Sequence, residues 1–557
     1  MPVSNKLSIA LAQINPIVGD VSGNIKRILT ARTQAISADL VLVPELALSG
    51  YPPEDLILKD AFLDIISKAI NTLALATYND RGSALIVGTP WRIKERRYNV
   101  ALLLDNGQIT SIVFKHYLPN YGVFDEARIF TSGPKPKPVL FRGFYLGLML
   151  CEDMWHKDIA TTLYRDGAEI LIALNSSPFE LDKLKNRHKH ASNRVRETGL
   201  PIIYLNQICG QDDLVFDGAS FILNNSGQLI HQLPSWKESV VITKWTRNKS
   251  KALSCTSNKL TPQPNRLEGI YQALMLGLRD YVTKNHFNGV LIGLSGGVDS
   301  ALSTAIAVDA LGSNQVWCIM MPSPYTSHES LNDAKIISKL CNVRLDNISI
   351  NPAMNAFGCM LKNVFSNKST INSITKENIQ ARARGISLMA ISNEFEYMVL
   401  ATGNKSELSV GYSTLYGDMC GGYSVLKDIY KTTVFDMARW RNTYHPLGAL
   451  GPKGAVMPES VISKSPSAEL KSNQKDQDTL PSYNQLDSIL HCFIEHDMGP
   501  NEVIAIGYDA MMVRSIFQML CKSEYKRRQA PLGVKITNRA FGRDRRYPSV
   551  NGFINTD

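Results

Sequence analysis

Short apolar runs alternate with polar or charged residues through the first 245 positions. Runs such as ADLVLVPEL, GSALIVGTP, FYLGLMLCED and LPIIYLNQ have the length and residue types of buried strands. Amphipathic stretches such as GNIKRILTARTQAIS and HKHASNRVRET lie between some of these runs and predict helices. The alternation of the two patterns predicts a layered α/β domain over residues 1–245.

A different pattern begins after this domain. Residues 246–265 are polar, contain prolines and show no clear period, which predicts a linker. Beyond them, RLEGIYQALMLGLRDYVTKN predicts an amphipathic helix, and NGVLIGLSGG, VWCIMMP, RLDNISI and YMVLATG predict strands separated by helices. We therefore expect residues 266–557 to form a doubly wound, Rossmann-like parallel sheet whose ligand lies beyond the carboxyl ends of the strands.

The composition agrees with two globular domains. The chain has 557 residues, of which 44% are hydrophobic and 20% charged. We expect no membrane span, because no apolar run reaches the roughly 18 residues that a span needs. Nine cysteines lie scattered without a CxxC pair, which argues against a disulfide framework or a zinc site. With no signal peptide, the expected location is cytoplasmic.

The net charge of +10 suggests an attraction for anions. Basic residues are spread along the chain except in the tail KSEYKRRQAPLGVKITNRAFGRDRRYPSV. No RNA- or DNA-binding motif accompanies this tail, so we expect small anionic substrates and no nucleic acid.

The stretch GLSGGVDS lies between an apolar run and ALSTAIAVDAL, where a strand would turn into a helix. Its glycines let the backbone approach an anion, its serines offer hydroxyl donors, and the helix adds its positive end. Asp299 would repel that anion unless a cation lay between them, so the loop predicts a phosphate with Mg²⁺. A simple tight turn is the alternative reading. The predicted ATP-binding loop comprises Gly293, Leu294, Ser295, Gly296, Gly297, Val298, Asp299 and Ser300.

This loop lacks the lysine of the common nucleotide-triphosphatase loop and resembles that of the N-type ATP pyrophosphatases. The segments ENIQARARG, LATGNKSELSVGYSTLYGDMCGGYSVLKDIYKT and SPSAEL narrow the resemblance to the NAD synthetase family. The resemblance implies that Asp299 and Glu407 hold magnesium. It also implies ATP contacts by Thr402 and Lys431 and deamido-NAD contacts by Asn378, Arg382, Glu407 and Lys526. The role of Asp418 and the contacts of residues 352–376 stay unassigned.

Three residues of the first domain follow predicted strands. Cys151 opens CEDMW after FYLGLML, Glu45 lies in VLVPEL, and Lys115 follows SIVF. A thiol nucleophile needs a base and an electrostatic partner, which a glutamate and a lysine could supply. A buried, inert cysteine is the alternative.

Their order and their contexts, PELALSGY, KHYLPNY and CED, resemble the nitrilase superfamily of carbon–nitrogen hydrolases, which implies an αββα sandwich. In that family the glutamate takes the thiol proton, the thiolate attacks an amide carbon, and the lysine stabilises the oxyanion. The resemblance further implies glutamine contacts by Tyr121, Ser177 and Lys183. Glu126 matches a second family glutamate near the amide, although a solvated turn acid would fit its pattern as well.

Together the two halves resemble the glutamine-dependent NAD synthetase family over nearly the whole chain. The implied reaction is adenylation of deamido-NAD by ATP and displacement of AMP by ammonia from glutamine. The family also implies a homo-oligomer. Three alternatives stay open: a plain amidase with a nucleotide-sensing domain, an amide-forming ligase with another acid substrate, and a catalytically silent scaffold.

Overall fold

The chain folds into two compact units, Met1–Pro264 and Asn265–Asp557. This computed structural model describes residues 5–78, 82–247, 253–366, 372–472 and 474–552. Residues 1–4 of the first predicted domain and 553–557 of the second therefore lie outside the described residues, as do 248–252 of the predicted linker and 367–371 of the unassigned segment.

The first unit is built mainly of strands. Its strands are β1 (Lys6–Gln13), β2 (Leu40–Leu42), β3 (Ala84–Ile93), β4 (Arg96–Asp105), β5 (Gln108–Phe114), β6 (Val139–Phe141), β7 (Phe144–Leu150), β8 (Ile170–Asn175), β9 (Ile202–Asn206), β10 (Ile208–Gln211), β11 (Leu214–Asp217), β12 (Phe221–Leu223), β13 (Leu229–Gln232), β14 (Ser239–Arg247), β15 (Leu253–Cys255) and β16 (Lys259–Leu260). Its helices are α1 (Val21–Gln34), α2 (Asp60–Leu75), α3 (Glu126–Ile129), α4 (Lys157–Arg165) and α5 (Lys183–Thr198).

These strands form two seven-stranded sheets and a short hairpin of β10 and β11. The sheet orders are β15-β14-β1-β2-β3-β4-β5 and β16-β13-β12-β9-β8-β7-β6. Leu42 of the first sheet and Leu146 of the second belong to one buried core between the sheets. The opposite face of the first sheet packs with α1 and α2, and that of the second sheet with α4 and α5. The predicted αββα sandwich is confirmed.

The segment predicted as a linker carries structure of the first unit. β15 pairs antiparallel with β14, and β16 pairs parallel with β13. Leu253 is fully buried in the core between the sheets. A polar strand at a sheet edge has one paired side and little apolar periodicity, so its sequence reads as a connector. The division between the units falls between Pro264 and Asn265.

The second unit contains a five-stranded sheet that is parallel throughout, with the order β19-β18-β17-β20-β21. Its strands are β17 (Val290–Gly293), β18 (Val316–Met320), β19 (Arg344–Asn347), β20 (Met398–Ala401) and β21 (Tyr423–Ser424). Its helices are α6 (Arg266–Lys284), α7 (Val298–Leu311), α8 (His328–Leu340), α9 (Asn351–Leu361), α10 (Ser373–Phe395), α11 (Lys405–Val410), α12 (Lys431–Thr443), α13 (Glu459–Ser463), α14 (Tyr483–Ile494), α15 (Pro500–Ala505), α16 (Ala510–Lys522) and α17 (Glu524–Arg527).

Helices cover both faces of this sheet. Thr304 of α7 contacts Cys318 on one face, whereas Leu388 of α10 packs with Leu291 and Ile319 on the other. The strand order reverses between β17 and β20, which makes their carboxyl ends the topological switch point. The predicted doubly wound parallel sheet is confirmed. The loop 293–300 begins at the last residue of β17, and Thr402 directly follows β20.

Candidate active sites

Lys115 lies between two carboxylates in the first unit. It directly follows β5, and its Nζ donates to Oε1 of Glu45 at 2.7 Å and to Oε2 of Glu126 at 2.8 Å. Burial alone would lower the pKa of this ammonium, but the charges of Glu126 and Glu45 outweigh burial and raise the pKa well above its ordinary value. Lys115 therefore carries its positive charge within a site that is closed to solvent.

Glu45 is fixed by donors from both sheets. Its Oε1 also accepts from Nδ2 of Asn99 on β4 at 2.8 Å, and its Oε2 accepts from the N–H of Ser176, just beyond β8, at 3.0 Å. The turn that contains Glu45 packs closely against β3. A Cβ on Gly88 of β3 would lie only 2.4 Å from the carbonyl oxygen of Pro44. This close approach requires glycine at position 88 and holds the carboxylate over the strand ends.

Cys151 is the first residue after β7 and opens a 3₁₀ turn. Its φ of 43° lies in the left-handed region, which a cysteine rarely adopts. Such strained residues cluster at functional sites. Burial, followed by the negative charge of Glu45, raises the pKa of the Cys151 thiol well above its ordinary value. The resting thiol is therefore neutral, and attack on a substrate requires a base that removes its proton.

Asp153 links the turn of Cys151 to the chain that follows Lys115. Its carboxylate accepts from the N–H of Tyr117 at 2.9 Å, from that of His116 at 3.1 Å and from that of Leu150 at 3.3 Å. Burial raises its pKa to about 6. Above that pH the ionised carboxylate links the turn of Cys151 to the segment that follows Lys115.

The three predicted glutamine contacts lie in different environments. Tyr121 is 55% exposed, and its hydroxyl donates to Glu152 at 2.9 Å. Ser177 is buried, and its hydroxyl accepts from Nε of Arg187 at 3.1 Å. Lys183 begins α5 and pairs with Glu180 at 3.2 Å. Their roles toward glutamine stay predictions, as do those of Glu45, Lys115 and Cys151 in catalysis.

In the second unit the loop 293–300 joins β17 to α7 and is braced by its own serines. The hydroxyl groups of Ser295 and Ser300 lie 3.0 Å apart, and Ser300 donates to the carbonyl of Gly297 at 3.0 Å. Gly296 has a φ of 83°, and a Cβ there would lie 2.3 Å from the carbonyl oxygen of Ser330. The loop therefore follows a fixed path that only glycine permits at position 296.

Lys431 joins the two predicted metal ligands. Its Nζ donates to Oδ2 of Asp299 at 2.5 Å and to Oε1 of Glu407 at 3.0 Å. Burial raises the pKa of Glu407 to about 7, against the opposing charge of Lys431. Asn404 spans the same pair: Nδ2 donates to Oδ1 of Asp299 at 2.9 Å, and Oδ1 accepts from the N–H of Glu407 at 3.0 Å. Asn404 thereby links the Asp299 carboxylate to the backbone of the first turn of α11, which carries Glu407.

The remaining predicted contacts lie on β20, α10 and α17 or directly beside them. Thr402 directly follows β20. Arg382, on the exposed side of α10, donates to the carbonyl of Leu415 at 3.2 Å. Asn378 accepts from the hydroxyl of Thr414 at 2.9 Å. Lys526 donates to the carbonyl of Gly411 at 2.7 Å, and burial lowers its pKa. Their predicted roles in substrate binding stay predictions.

Sequence reasoning missed several residues that hold the sites together. Asn99 and Asp153 support the thiol site, Arg187 supports Ser177, and Asn404 supports the carboxylate pair. The sequence does contain an indication of the role of Asn404, because an asparagine three residues before a glutamate is typical of a helix N-cap. The indication for Asn99 is weaker: it is the single amide side chain in the apolar strand sequence NVALLL.

Two family models match the chain. The NAD synthase model matches residues 270–530, and the carbon-nitrogen hydrolase model matches residues 8–253. The two matches fall in the second and the first unit, respectively.

Relatives match along the whole length. The glutamine-dependent NAD(+) synthetase of Rhodobacter capsulatus is 44% identical over 551 residues, covering 99% of both chains. That of Acinetobacter baylyi is 41% identical, covering 98% of both. The solved structure of glutamine-dependent NAD+ synthetase from Acinetobacter baumannii in complex with ADP is 40% identical with a TM-score of 0.77, covering 99% of this chain and 100% of its own. The chain therefore belongs to the glutamine-dependent NAD(+) synthetase family, as its motifs predict.

Proposed function

We propose that this chain makes NAD from deamido-NAD, with ATP as the activating substrate and glutamine as the nitrogen donor. The observation that carries the proposal is the presence, in one chain, of two separate clusters. Lys115 pairs with Glu45 in the first unit, and Lys431 joins Asp299 to Glu407 in the second. The first cluster suits amide hydrolysis, and the second suits nucleotide chemistry. A protein with only one of the two domains would have only one of these clusters.

In the first unit Glu45 takes the proton of the Cys151 thiol, whose raised pKa keeps it neutral until a base acts. The thiolate sulfur attacks the amide carbon of glutamine. The ammonium of Lys115 stabilises the oxyanion, since its charge is maintained by two carboxylates. Ammonia leaves with the proton taken from the thiol, and water then cleaves the thioester to release glutamate.

In the second unit the loop 293–300 binds the phosphates of ATP through its backbone N–H groups and the first turn of α7. The carboxylate of deamido-NAD attacks the α-phosphorus, and pyrophosphate leaves. Ammonia then attacks the adenylated carbonyl, AMP departs, and NAD forms. Lys431 and Thr402 are proposed ATP contacts; Asn378, Arg382, Glu407 and Lys526 are proposed deamido-NAD contacts.

The donor set of Asp299 and Glu407 fits Mg²⁺. Carboxylate oxygens are the ligands that hard divalent cations prefer, and Mg²⁺ commonly uses one or two of them together with substrate phosphates. Among the described residues no group of three or more His, Cys, Asp or Glu side chains could hold a metal. A bound Mg²⁺ would offset the negative charge of the phosphates. We propose that Asp299 and Glu407 hold it.

We further propose a homo-oligomer in the cytoplasm. All nine cysteines lie within the described residues and are free thiols, which suits a reducing compartment. Among the described residues no helix has the length and apolar character that crossing a membrane requires. Size-exclusion chromatography with light scattering tests the oligomer.

A coupled assay tests the reaction. The purified chain is given ATP, glutamine and deamido-NAD, and NAD, AMP and glutamate are measured. Equal amounts of the three products support the proposal. Glutamate without NAD, independent of ATP, supports a plain amidase. AMP formation with a different acid and none with deamido-NAD supports another ligase, and no turnover of any kind supports a scaffold.

A further inference from the structure

The ammonium of Lys431 lies between the carboxylates of Asp299 and Glu407 and donates to both. Its Nζ lies 2.5 Å from Oδ2 of the first and 3.0 Å from Oε1 of the second. The lysine side chain is 3% exposed, whereas each carboxylate side chain is 18% exposed. The ammonium thus fills the inner side of the pair, and the carboxylates keep an outer side that solvent can reach.

We propose that Lys431 is a built-in counter-cation that keeps a divalent metal out of this pair until a nucleotide draws the ammonium away. The metal then binds only together with ATP. This inference rests on the proposed function and adds an order of binding to it.

Geometry supports the exclusion. Mg²⁺ requires oxygen ligands at about 2.0–2.1 Å. An ammonium that donates to both carboxylates leaves no room for such an ion on the same two oxygens. The charge has the same effect, because the pair with Lys431 carries one net negative charge instead of two. Attraction for a dication is therefore weaker than the two carboxylates alone would give.

The phosphates of a bound nucleotide would draw the ammonium of Lys431 away from the two carboxylates. Asp299 lies in the first turn of α7 and is itself part of the loop 293–300 that is proposed to bind ATP. Lys431 begins α12 and carries its charge on a flexible four-carbon stem, so Nζ can turn toward phosphate without a movement of the helix. The phosphate oxygens also supply the further ligands that two carboxylates cannot, which explains why the metal needs the nucleotide.

Equilibrium dialysis of the full chain, with equal free nucleotide analogue on both sides wherever it is present, measures the protein-bound Mn²⁺ and tests the inference. The wild-type protein is expected to bind Mn²⁺ with a non-hydrolysable ATP analogue and at least about tenfold more weakly without it. Lys431→Met is expected to bind Mn²⁺ without nucleotide at least about tenfold more tightly than wild type. The control is Lys427→Met, which removes an ammonium that donates to the carbonyl of Pro531 and leaves Mn²⁺ binding at the wild-type level.

The gained binding is expected to disappear in Lys431→Met combined with Asp299→Asn. Wild-type protein that binds Mn²⁺ equally well with and without the nucleotide analogue overturns the inference, and this measurement requires no variant to fold. Folded Lys431→Met that gains no Mn²⁺ also overturns it. In both cases the proposed function survives if wild-type protein makes NAD in the coupled assay, whereas loss of that product overturns the proposed function itself.

Discussion

Nδ2 of Asn99 donates to Oε1 of Glu45 across 2.8 Å, and neither residue exposes more than 1% of its surface. Lys115 donates to the same oxygen. Two donors on Oε1 set the rotation of the carboxylate, which leaves Oε2 facing the N–H of Ser176. A strand asparagine thus determines how the proposed base is oriented.

Asn99→Ala is expected to slow glutamate release from glutamine by about 10- to 100-fold. The basis is the loss of one hydrogen bond to a charged group, worth about 1.5–3 kcal/mol. NAD formation from ammonium salt and deamido-NAD is expected to stay at the wild-type level. Asn193→Ala, on α5, is the control: its amide accepts from Arg196. Unchanged glutamate release in folded Asn99→Ala would contradict the positioning role.

Cys151→Ala is expected to abolish NAD formation from glutamine and to leave NAD formation from ammonium salt intact. The proposed role of the thiol is confined to releasing ammonia, so supplied ammonia would bypass it. Product analysis with each nitrogen source, alongside circular dichroism of the variant, provides the measurement. Loss of both activities in a folded protein would show that the two sites are not chemically separate.

Asp299→Asn is expected to impair NAD formation by at least about 100-fold with either nitrogen source, because adenylation precedes both routes. Pyrophosphate release is the direct measurement. Glutamine hydrolysis without ATP is expected to persist. The control is Asp436→Asn on α12, where an exposed carboxylate pairs with Arg439. Wild-type rates from ammonia in Asp299→Asn would overturn the proposed metal and nucleotide roles.

The positions of many candidate site residues could be predicted from the sequence because each lies beside an apolar strand. Lys115 and Cys151 directly follow β5 and β7, and the loop 293–300 follows β17. Asn99 could not be predicted with the same ease. It lies within β4, and its side chain meets Glu45, which lies 54 residues earlier in the chain. Such support depends on contacts between segments that are distant in sequence.

The edges of the domains were harder to predict for the same reason. β15 and β16 are short and polar, and their sheet neighbours stabilise them. The basic tail also differs from a solvent-facing patch. Arg527 and Arg545 are both buried and pair with Glu524 at 2.8 Å and 3.2 Å. A count of charges along the chain cannot reveal such internal pairs.

The pH dependence of glutamate release is expected to show an acidic limb near pH 7. Burial raises the pKa of Glu126 to about 7, although Lys115 opposes the shift. As the pH falls through that value, Glu126 takes a proton and Lys115 loses one of its two anionic partners. Activity therefore rises with pH across this range. A limb near pH 4.5, the ordinary value for glutamate, would contradict the assignment.

Tyr51→Phe provides the matched variant for that limb. The Tyr51 hydroxyl donates to Oε1 of Glu126 at 3.1 Å and so favours the ionised carboxylate. Its removal is expected to raise the pKa of Glu126 further, which moves the midpoint of glutamate release to higher pH. A midpoint that stays in place or moves to lower pH would show that another group controls the limb.

Gly296 and Gly297 are neighbours in the loop. The structure predicts that alanine is tolerated at position 297 and not at position 296. Gly296→Ala forces a Cβ to within 2.3 Å of the carbonyl oxygen of Ser330 at a φ of 83°. Gly297→Ala meets only the Ser295 hydroxyl at 3.4 Å. We expect the first variant to lower the free energy of unfolding by about 1–3 kcal/mol, and the second to change it by less than about 1 kcal/mol. Urea titration followed by tryptophan fluorescence measures both. Equal destabilisation of the two variants would mean that the loop does not follow the path that brings Gly296 against α8.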